Sequence, residues 1–190
     1  MILYLTLLSP LNATSDWVTT DIEHQCLFQK STAPEKESVL RADCLWTLPY
    51  DAVLALIEPA DRFDEFVSGV SSSERVAASS ETIRIVQTYS FPGVQDRAIV
   101  LDYTIDEVEH GKRISFTKAL DQTLLPKGFV EVIENTGYWE ISVHDGKTRL
   151  VFESIFNPGG YLPDILFQWF QGPGTRGMIA ELKHFVENQS

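Results

Sequence analysis

The sequence predicts an α+β fold in which a strongly curved antiparallel sheet wraps around a long C-terminal helix. Segments of alternating apolar and polar residues occupy much of the chain from Trp17 to Phe156, a sharp Asn157-Pro158-Gly159-Gly160 turn follows, and residues 161–186 have helical spacing. The connections between successive strands are short, which favours antiparallel over parallel pairing. Strands grouped ahead of one large helix are typical of α+β proteins.

The first strands are predicted near the N-terminus. Trp17–Thr20 and Gln25–Gln29 would form a hairpin across a turn at Asp21–His24, and the polar residues 31–38 would form a loop. Period-two alternation then predicts a strand over Ser38–Leu48 with one buried face. The residues of that face are Leu40, Ala42, Cys44, Trp46 and Leu48.

Two short helices are predicted after Pro49, which ends this strand. Ala52–Ile57 and Asp61–Val67 have helical spacing, and Pro59 separates them because it lacks a backbone donor. Serine-rich stretches at 71–73 and 79–80 predict breaks before the next strand.

The central part of the chain predicts a series of strands joined by tight turns. Pro92-Gly93, His110-Gly111 and Asp145-Gly146 are turn signals, and the last is a strong hairpin signal. The predicted strands are Ile83–Phe91, Asp96–Val108, Arg113–Ala119, Phe129–Ile133, Tyr138–Val143 and Thr148–Phe156.

The C-terminal segment predicts a helix that begins at Pro163-Asp164, where a proline needs no donor and an acid meets the positive end of the helix dipole. The Gly172-Pro173-Gly174 sequence should kink or interrupt this helix. About 25 helical residues would reach roughly 37 Å, enough to cross a whole sheet.

The composition limits the partners of the protein. A chain of 190 residues with 44% hydrophobic residues can bury the core of one domain. Its net charge of −12 repels phosphate backbones, so nucleic acid is excluded as a partner and an anionic membrane is disfavoured. We expect a soluble monomer that contacts membranes only transiently.

Two features leave the compartment open. Residues 1–16 are apolar, but they are too few to span a bilayer and lack the basic residues of a secretory signal. We predict that this segment is a helix packed on a single domain, residues 17–190, and we favour the cytoplasm, with export as the alternative.

Cys26 and Cys44 are interpreted as two buried thiols, with a disulfide as the alternative, and their spacing indicates no metal site.

Three motifs carry a resemblance to a known family. Pro92-Gly93-Val94-Gln95-Asp96-Arg97 enters a strand, Gly137-Tyr138-Trp139-Glu140-Ile141 begins another, and residues 157–163 precede the last helix. Their order and spacing resemble those of bacterial-type StAR-related lipid transfer (START) domains, which belong to the helix-grip (SRPBCC/Bet v 1-like) group. The resemblance extends from about Trp17 to Val186.

The resemblance implies a nonenzymatic domain that holds one hydrophobic molecule, such as a lipid, between the sheet and the C-terminal helix, for transport or sensing. It implies neither a metal nor an organic cofactor. The chain departs from the family at two places. Arg97-Ala98 replaces an Arg-Asp pair, and Tyr103 occupies the position at which sterol-binding members place a cavity-facing arginine.

Ligand binding requires a pocket with apolar walls and a few polar groups that orient the ligand. Tyr89 and Tyr103 could bond a ligand oxygen, and Gln87 shares the face of Tyr89. Entry would be gated by the C-terminal helix, with Gly172-Pro173-Gly174 as hinge, and by the loop at Leu124–Gly128. The predicted ligand-binding residues are Tyr89, Leu101, Tyr103, Phe116, Trp139, Ile141, Phe152 and Trp169.

Two alternatives compete with a carrier or sensor. A helix-grip enzyme of the cyclase or hydrolase type would need an acid or base in the cavity, but Asp43 and Asp102 are predicted on the outer face of the sheet, and His110 and His144 at hairpin tips. A ligand-free interaction domain would instead expose aromatic residues of the final helical segment, such as Phe167, Trp169 and Phe170.

Overall fold

A computed structural model of the chain describes residues 17–31, 38–79, 81–170 and 172–189. The predictions of an N-terminal helix at residues 1–16 and of a loop at 31–38 lie largely outside these ranges. Within them, the chain forms one sheet of ten strands and four helices. The strands are β1 (Trp17–Glu23), β2 (Cys26–Ser31), β3 (Leu40–Trp46), β4 (Val70–Ala78), β5 (Ile83–Tyr89), β6 (Arg97–Val108), β7 (Gly111–Lys118), β8 (Val130–Glu131), β9 (Glu134–His144) and β10 (Lys147–Asn157).

The sheet is antiparallel along the order β1-β2-β3-β10-β9-β7-β6-β5-β4, which confirms the predicted antiparallel sheet. The long β9–β10 hairpin turns at Asp145-Gly146, where both residues have positive φ angles of 49° and 72°. Such angles are those of a tight hairpin turn, for which an Asp-Gly pair is a strong signal. The first hairpin turns at His24-Gln25, at the end of the predicted Asp21–His24 turn.

The prediction of an ordinary antiparallel strand over Phe129–Ile133 is wrong. Only Val130 and Glu131 form a strand, and it runs parallel to the start of β6. Backbone bonds from Val130 N to Asp96 O (2.9 Å) and from Val132 N to Ala98 O (3.0 Å) hold it there. The long connection that follows β7 allows the chain to return in the same direction as β6, which short hairpin turns cannot do.

The predicted break at Ser71–Ser73 is also wrong, because these serines lie within the edge strand β4. The hydroxyls of two of these serines form hydrogen bonds. Ser71 Oγ lies 2.8 Å from Thr88 Oγ1, and Ser73 Oγ donates to the carbonyl oxygen of Ala60 at 2.8 Å. Two register shifts in the β4–β5 pairing further disrupt the alternation that would have identified a strand.

The helices are α1 (Tyr50–Ile57), α2 (Phe63–Phe66), α3 (Asp164–Phe170) and α4 (Pro173–Gln189). The first two confirm the predicted pair of short helices. The predicted C-terminal helix is interrupted at Gly172-Pro173, as its sequence indicated. Ile179, Leu182 and Val186 of α4 are buried against the sheet. Arg176 of α4 also contacts Asp21 and Glu23 of β1 through ion pairs of 3.2 and 3.3 Å.

The two cysteines form a disulfide, which corrects our prediction of two buried thiols. Cys26 and Cys44 lie directly opposite each other in the β2–β3 pairing, and both side chains are buried in the core. The alternating pattern of β3 correctly placed Cys44 on the buried face. The register of β2 against β3, which the sequence did not give, places the two sulfur atoms within bonding distance.

Reduction of this disulfide should lower the free energy of unfolding by about 3 kcal/mol, because the bond closes a loop with a sequence separation of 18 residues and so restricts the unfolded chain. Urea unfolding with and without dithiothreitol measures the difference. The chain contains only these two cysteines, so a Cys26→Ala/Cys44→Ala variant is the control and should not respond to the reductant. An unfolding midpoint of the native chain that the reductant leaves unchanged would contradict the assignment.

Candidate functional site

A cavity of about 160 Å³ lies between the concave face of the sheet and the helices α2, α3 and α4. Its wall is mainly apolar, and its polar side chains include Gln87, Asn135 and Ser154. The space is smaller than the roughly 300–1,000 Å³ of pockets for drug-sized ligands. The predicted interior gap is therefore present but narrow in this structure.

The structure brings six of the eight predicted site residues together around this cavity and leaves two outside it. Leu101 and Ile141 are fully buried and do not line the cavity, so for them the prediction of a cavity position is wrong. Both belong to the buried core, as the inward alternation of their strands predicted. The six lining residues are Tyr89, Tyr103, Phe116, Trp139, Phe152 and Trp169.

Aromatic side chains reduce the volume of the cavity from two sides. On one side Trp139 packs on Phe152 with ring centroids 4.2 Å apart, and Phe116 lies between Phe152 and Tyr103. Near the other side Phe91 and Phe170 pack edge to face at 5.0 Å. Aromatic rings contribute large buried areas, so these contacts stabilise the closed arrangement.

A chain of hydrogen bonds crosses the apolar wall. Asn135 Nδ2 donates to the Tyr89 hydroxyl at 3.1 Å, and this hydroxyl donates to Gln87 Oε1 at 2.8 Å. Gln87 Nε2 donates to Ser73 Oγ at 3.1 Å and makes a longer contact of 3.4 Å with the Tyr103 hydroxyl. Strand alternation predicted Gln87 and the two tyrosines at the cavity, but Ser73 was not predicted there because its serine-rich stretch was assigned to a break.

Burial keeps both cavity tyrosines neutral. Desolvation raises the pKa of Tyr89 above its usual value, and the hydrogen bond from Asn135 opposes this effect. Desolvation likewise raises the pKa of Tyr103 well above its usual value. The two hydroxyls therefore remain hydrogen-bond donors and acceptors throughout the physiological pH range, rather than serving as bases.

The opening of the cavity is formed by the segment between α2 and β4 and by the C-terminal helices. Ser68 N donates to Glu181 Oε2 of α4 at 3.1 Å, so this bond joins the two sides of the opening. Ser68, Gly69 and Glu181 all line the cavity. The loop at Leu124–Gly128, which we predicted to be a gate, does not line the cavity, whereas residues 67–69 do.

The turn that precedes α3 is held by a buried arginine. The guanidinium of Arg97 donates to the carbonyl oxygens of Gln95 and, at 3.1 Å, Tyr161. Burial lowers the pKa of Arg97, although the nearby Asp96 opposes the effect. Backbone carbonyl oxygens thus accept the hydrogen bonds of the Arg97 guanidinium. This is the position at which the chain has Arg97-Ala98 in place of the Arg-Asp pair of the family that its sequence resembles.

The two aspartates that the sequence offered as candidate catalytic acids, Asp43 and Asp102, lie outside the cavity. Asp43 forms two hydrogen bonds with Arg149, at 3.0 and 2.6 Å, and Asp102 forms two with Arg84, at 2.7 and 2.9 Å. Neither aspartate lines the cavity, which confirms the prediction that both face outward. His110 and His144 are exposed at hairpin ends, as predicted.

Exposed apolar side chains extend outward from the cavity along α3. Ile165 is 77% exposed and Phe167 is 56% exposed, whereas Phe170 is buried. Trp169 is 38% exposed and also lines the cavity, so it connects the interior with this surface. The prediction of exposed residues is therefore confirmed for Phe167 and Trp169 and is wrong for Phe170.

Two further features are absent from the described part of the chain. No helix there is long and apolar enough to cross a membrane. No three histidine, cysteine or acidic side chains there come close enough together to hold a metal ion.

Replacement of Tyr89 by phenylalanine should lower the free energy of unfolding by about 1–3 kcal/mol, because Gln87 Oε1 would lose its donor in a buried site. Urea unfolding measures this change. Tyr161→Phe is a matched control that removes the same atom from an exposed ring, and it should leave the stability unchanged. Equal stabilities of the two variants would show that the hydrogen-bond chain contributes nothing.

Comparison with known proteins supports the fold. No protein-family model matches the chain, and no curated protein is similar to it in sequence. Among solved structures, a STAR-related lipid transfer protein from Xanthomonas axonopodis has a TM-score of 0.79 at 17% identity, covering 90% of this chain and 98% of that chain. Human StAR-related lipid transfer protein 5 has a TM-score of 0.81 at 16% identity, with coverage of 93% and 89%.

A more distant neighbour is an aromatase/cyclase from Streptomyces, with a TM-score of 0.57 at 12% identity and coverage of 79% and 92%. The same general architecture thus occurs in enzymes as well as in lipid transfer proteins. The TM-scores are higher for the two lipid transfer proteins than for the cyclase. The chain has the helix-grip fold of the StAR-related lipid transfer domains.

Proposed function

We propose that this protein is a bacterial-type START domain that binds a hydrophobic small molecule of the lipid type, for transport or sensing. The observation that carries the proposal is the apolar cavity between the sheet and the C-terminal helices, which contains a short chain of polar groups. Apolar walls with a few fixed polar groups are the usual design of a small-molecule site. We infer that the ligand contacts Tyr89, Tyr103, Phe116, Trp139, Phe152 and Trp169.

The size of the cavity requires either a small ligand or an opening step. At about 160 Å³ the cavity cannot enclose a whole diacyl lipid. The elements that we expect to move are residues 67–69 and α4, which line the cavity and are joined by the Ser68–Glu181 hydrogen bond. We propose that these elements separate when the ligand enters.

The direct test is to incubate the purified protein with a lipid extract and to record native mass spectra. We expect a mass increase from one apolar molecule per chain. If only unbound protein is found across broad lipid classes, the proposed function is wrong.

Filling the cavity should abolish this binding. Ser154 of β10 lines the cavity, and Ser154→Leu would place an aliphatic group in the open space. We expect the affinity for the ligand to fall at least about tenfold. Overpacking should also lower the free energy of unfolding by about 1–3 kcal/mol. Ser142→Leu on β9 is the control, because Ser142 follows the inward Ile141 and faces outward. Equal ligand retention by the two variants would place the binding site elsewhere.

We further propose that the α3 surface contacts membranes transiently while ligand is exchanged. The exposed Ile165 and Phe167 lie on a helix whose single charge is Asp164, and Trp169 links this surface to the cavity. Exposed apolar and aromatic side chains are typical of membrane-contacting surfaces. The net charge of −12 favours zwitterionic over anionic lipid.

Flotation with phosphatidylcholine vesicles tests this contact. Ile165→Ser should reduce the vesicle-bound fraction about tenfold, because burial of an aliphatic side chain contributes about 1.5–3 kcal/mol. Val143→Ser is the matched control, since Val143 is exposed at the opposite end of β9 from the cavity residue Asn135. If both variants bind vesicles as the native chain does, α3 is not the contact surface.

A further inference from the structure

The hydrogen bonds in the cavity wall run in one direction, and this direction decides which polar atoms remain open. Asn135 donates to Tyr89, Tyr89 to Gln87, Gln87 to Ser73, and Ser73 to the carbonyl oxygen of Ala60. Each of these four side chains donates one hydrogen within this series of bonds. The orientation of the Gln87 amide is fixed, because its oxygen accepts from Tyr89 and its nitrogen donates to Ser73.

Tyr103 is left with an open donor. Its hydroxyl can only accept from Gln87 Nε2, at 3.4 Å, since that nitrogen carries hydrogens and no free electron pair. Within the described residues, the Tyr103 hydroxyl hydrogen has no acceptor, although the side chain is 3% exposed and lines the cavity. A buried hydroxyl without an acceptor is costly, so a ligand that supplies one gains affinity.

The charge of the wall restricts the ligand further. No lysine, arginine or histidine is among the described residues that line the cavity, and the only carboxylate is Glu181, at the opening. An anionic group in this apolar space would have no cation to compensate for its lost hydration. Glu181 would in addition repel it.

We propose that the ligand is an uncharged hydrophobic molecule with an acceptor oxygen, such as a carbonyl, ether or hydroxyl oxygen, which receives a hydrogen bond from Tyr103. This inference rests on the proposed function and specifies the class of ligand. The proposed class of ligand includes neutral oxygenated lipids and excludes fatty acids and phospholipids, which carry anionic groups. Tyr103 is assigned as the residue that positions the oxygen.

The test uses three probes that share a twelve-membered carbon ring: cyclododecanone, cyclododecane and cyclododecanecarboxylate. The amount of each that the protein retains after ultrafiltration, measured by gas chromatography, gives the dissociation constants. Tyr103→Phe should weaken the binding of the ketone about tenfold, which corresponds to about 1.4 kcal/mol, and should change that of the alkane less than about twofold. The carboxylate should bind the native chain at least about tenfold more weakly than the ketone.

The control variant is Tyr138→Phe. The Tyr138 hydroxyl donates to Glu153 at 3.1 Å, and its ring stacks with Arg113 away from the cavity lining, so the change removes a hydrogen bond of comparable type. This variant should leave all three dissociation constants unchanged. The infrared spectrum of the bound ketone provides a second measurement on the native chain, in which the carbonyl band should lie at lower frequency than in cyclohexane.

The outcomes distinguish the two proposals. If neither the alkane nor the ketone is retained, the proposed function and this inference both fail. If both are retained but Tyr103→Phe affects them equally and the carbonyl band is not shifted, the cavity binds apolar molecules and the role of Tyr103 is wrong. If the carboxylate binds as tightly as the ketone, the restriction to uncharged ligands is wrong.

Discussion

Packing of the C-terminal helix α4 against the concave face of the sheet is the interaction on which the rest of the structure depends. Ile179, Leu182 and Val186 are almost completely buried in this contact. Without α4 the inward aromatic side chains would face solvent. With it, they enclose a small cavity whose walls are made of large rings that do not fill the space completely.

The cavity combines two properties that oppose each other energetically. Burial of its aromatic side chains is favourable. The hydrogen-bonded side chains Ser73, Gln87, Tyr89 and Asn135 place polar groups among the same buried rings. Almost all of these groups are satisfied by one another, which limits the cost of their burial. The open donor on Tyr103 is the feature from which we propose a preference for uncharged ligands with an acceptor oxygen.

The outer face of the sheet shows the opposite arrangement. Its ionic side chains form pairs between neighbouring strands, such as Arg84 with Asp102 and Arg149 with Asp43. The alternation of side chains thus separates charge from the cavity: inward positions carry rings and neutral polar groups, and outward positions carry ions. This separation explains why Asp43 and Asp102 do not line the cavity.

The sequence by itself determined the elements whose pattern is local: the alternating strands, the Asp145-Gly146 hairpin, the pair of short helices and the interruption at Gly172-Pro173. It also identified six side chains of the cavity wall, five of them through the inward alternation of strands and Trp169 through helical spacing, because both patterns are local. Only the tertiary structure decided the disulfide between Cys26 and Cys44, the strand that contains Ser73, the parallel strand β8, and the exclusion of Leu101 and Ile141 from the cavity. These depend on register and curvature, which set distances between residues that are remote in the chain.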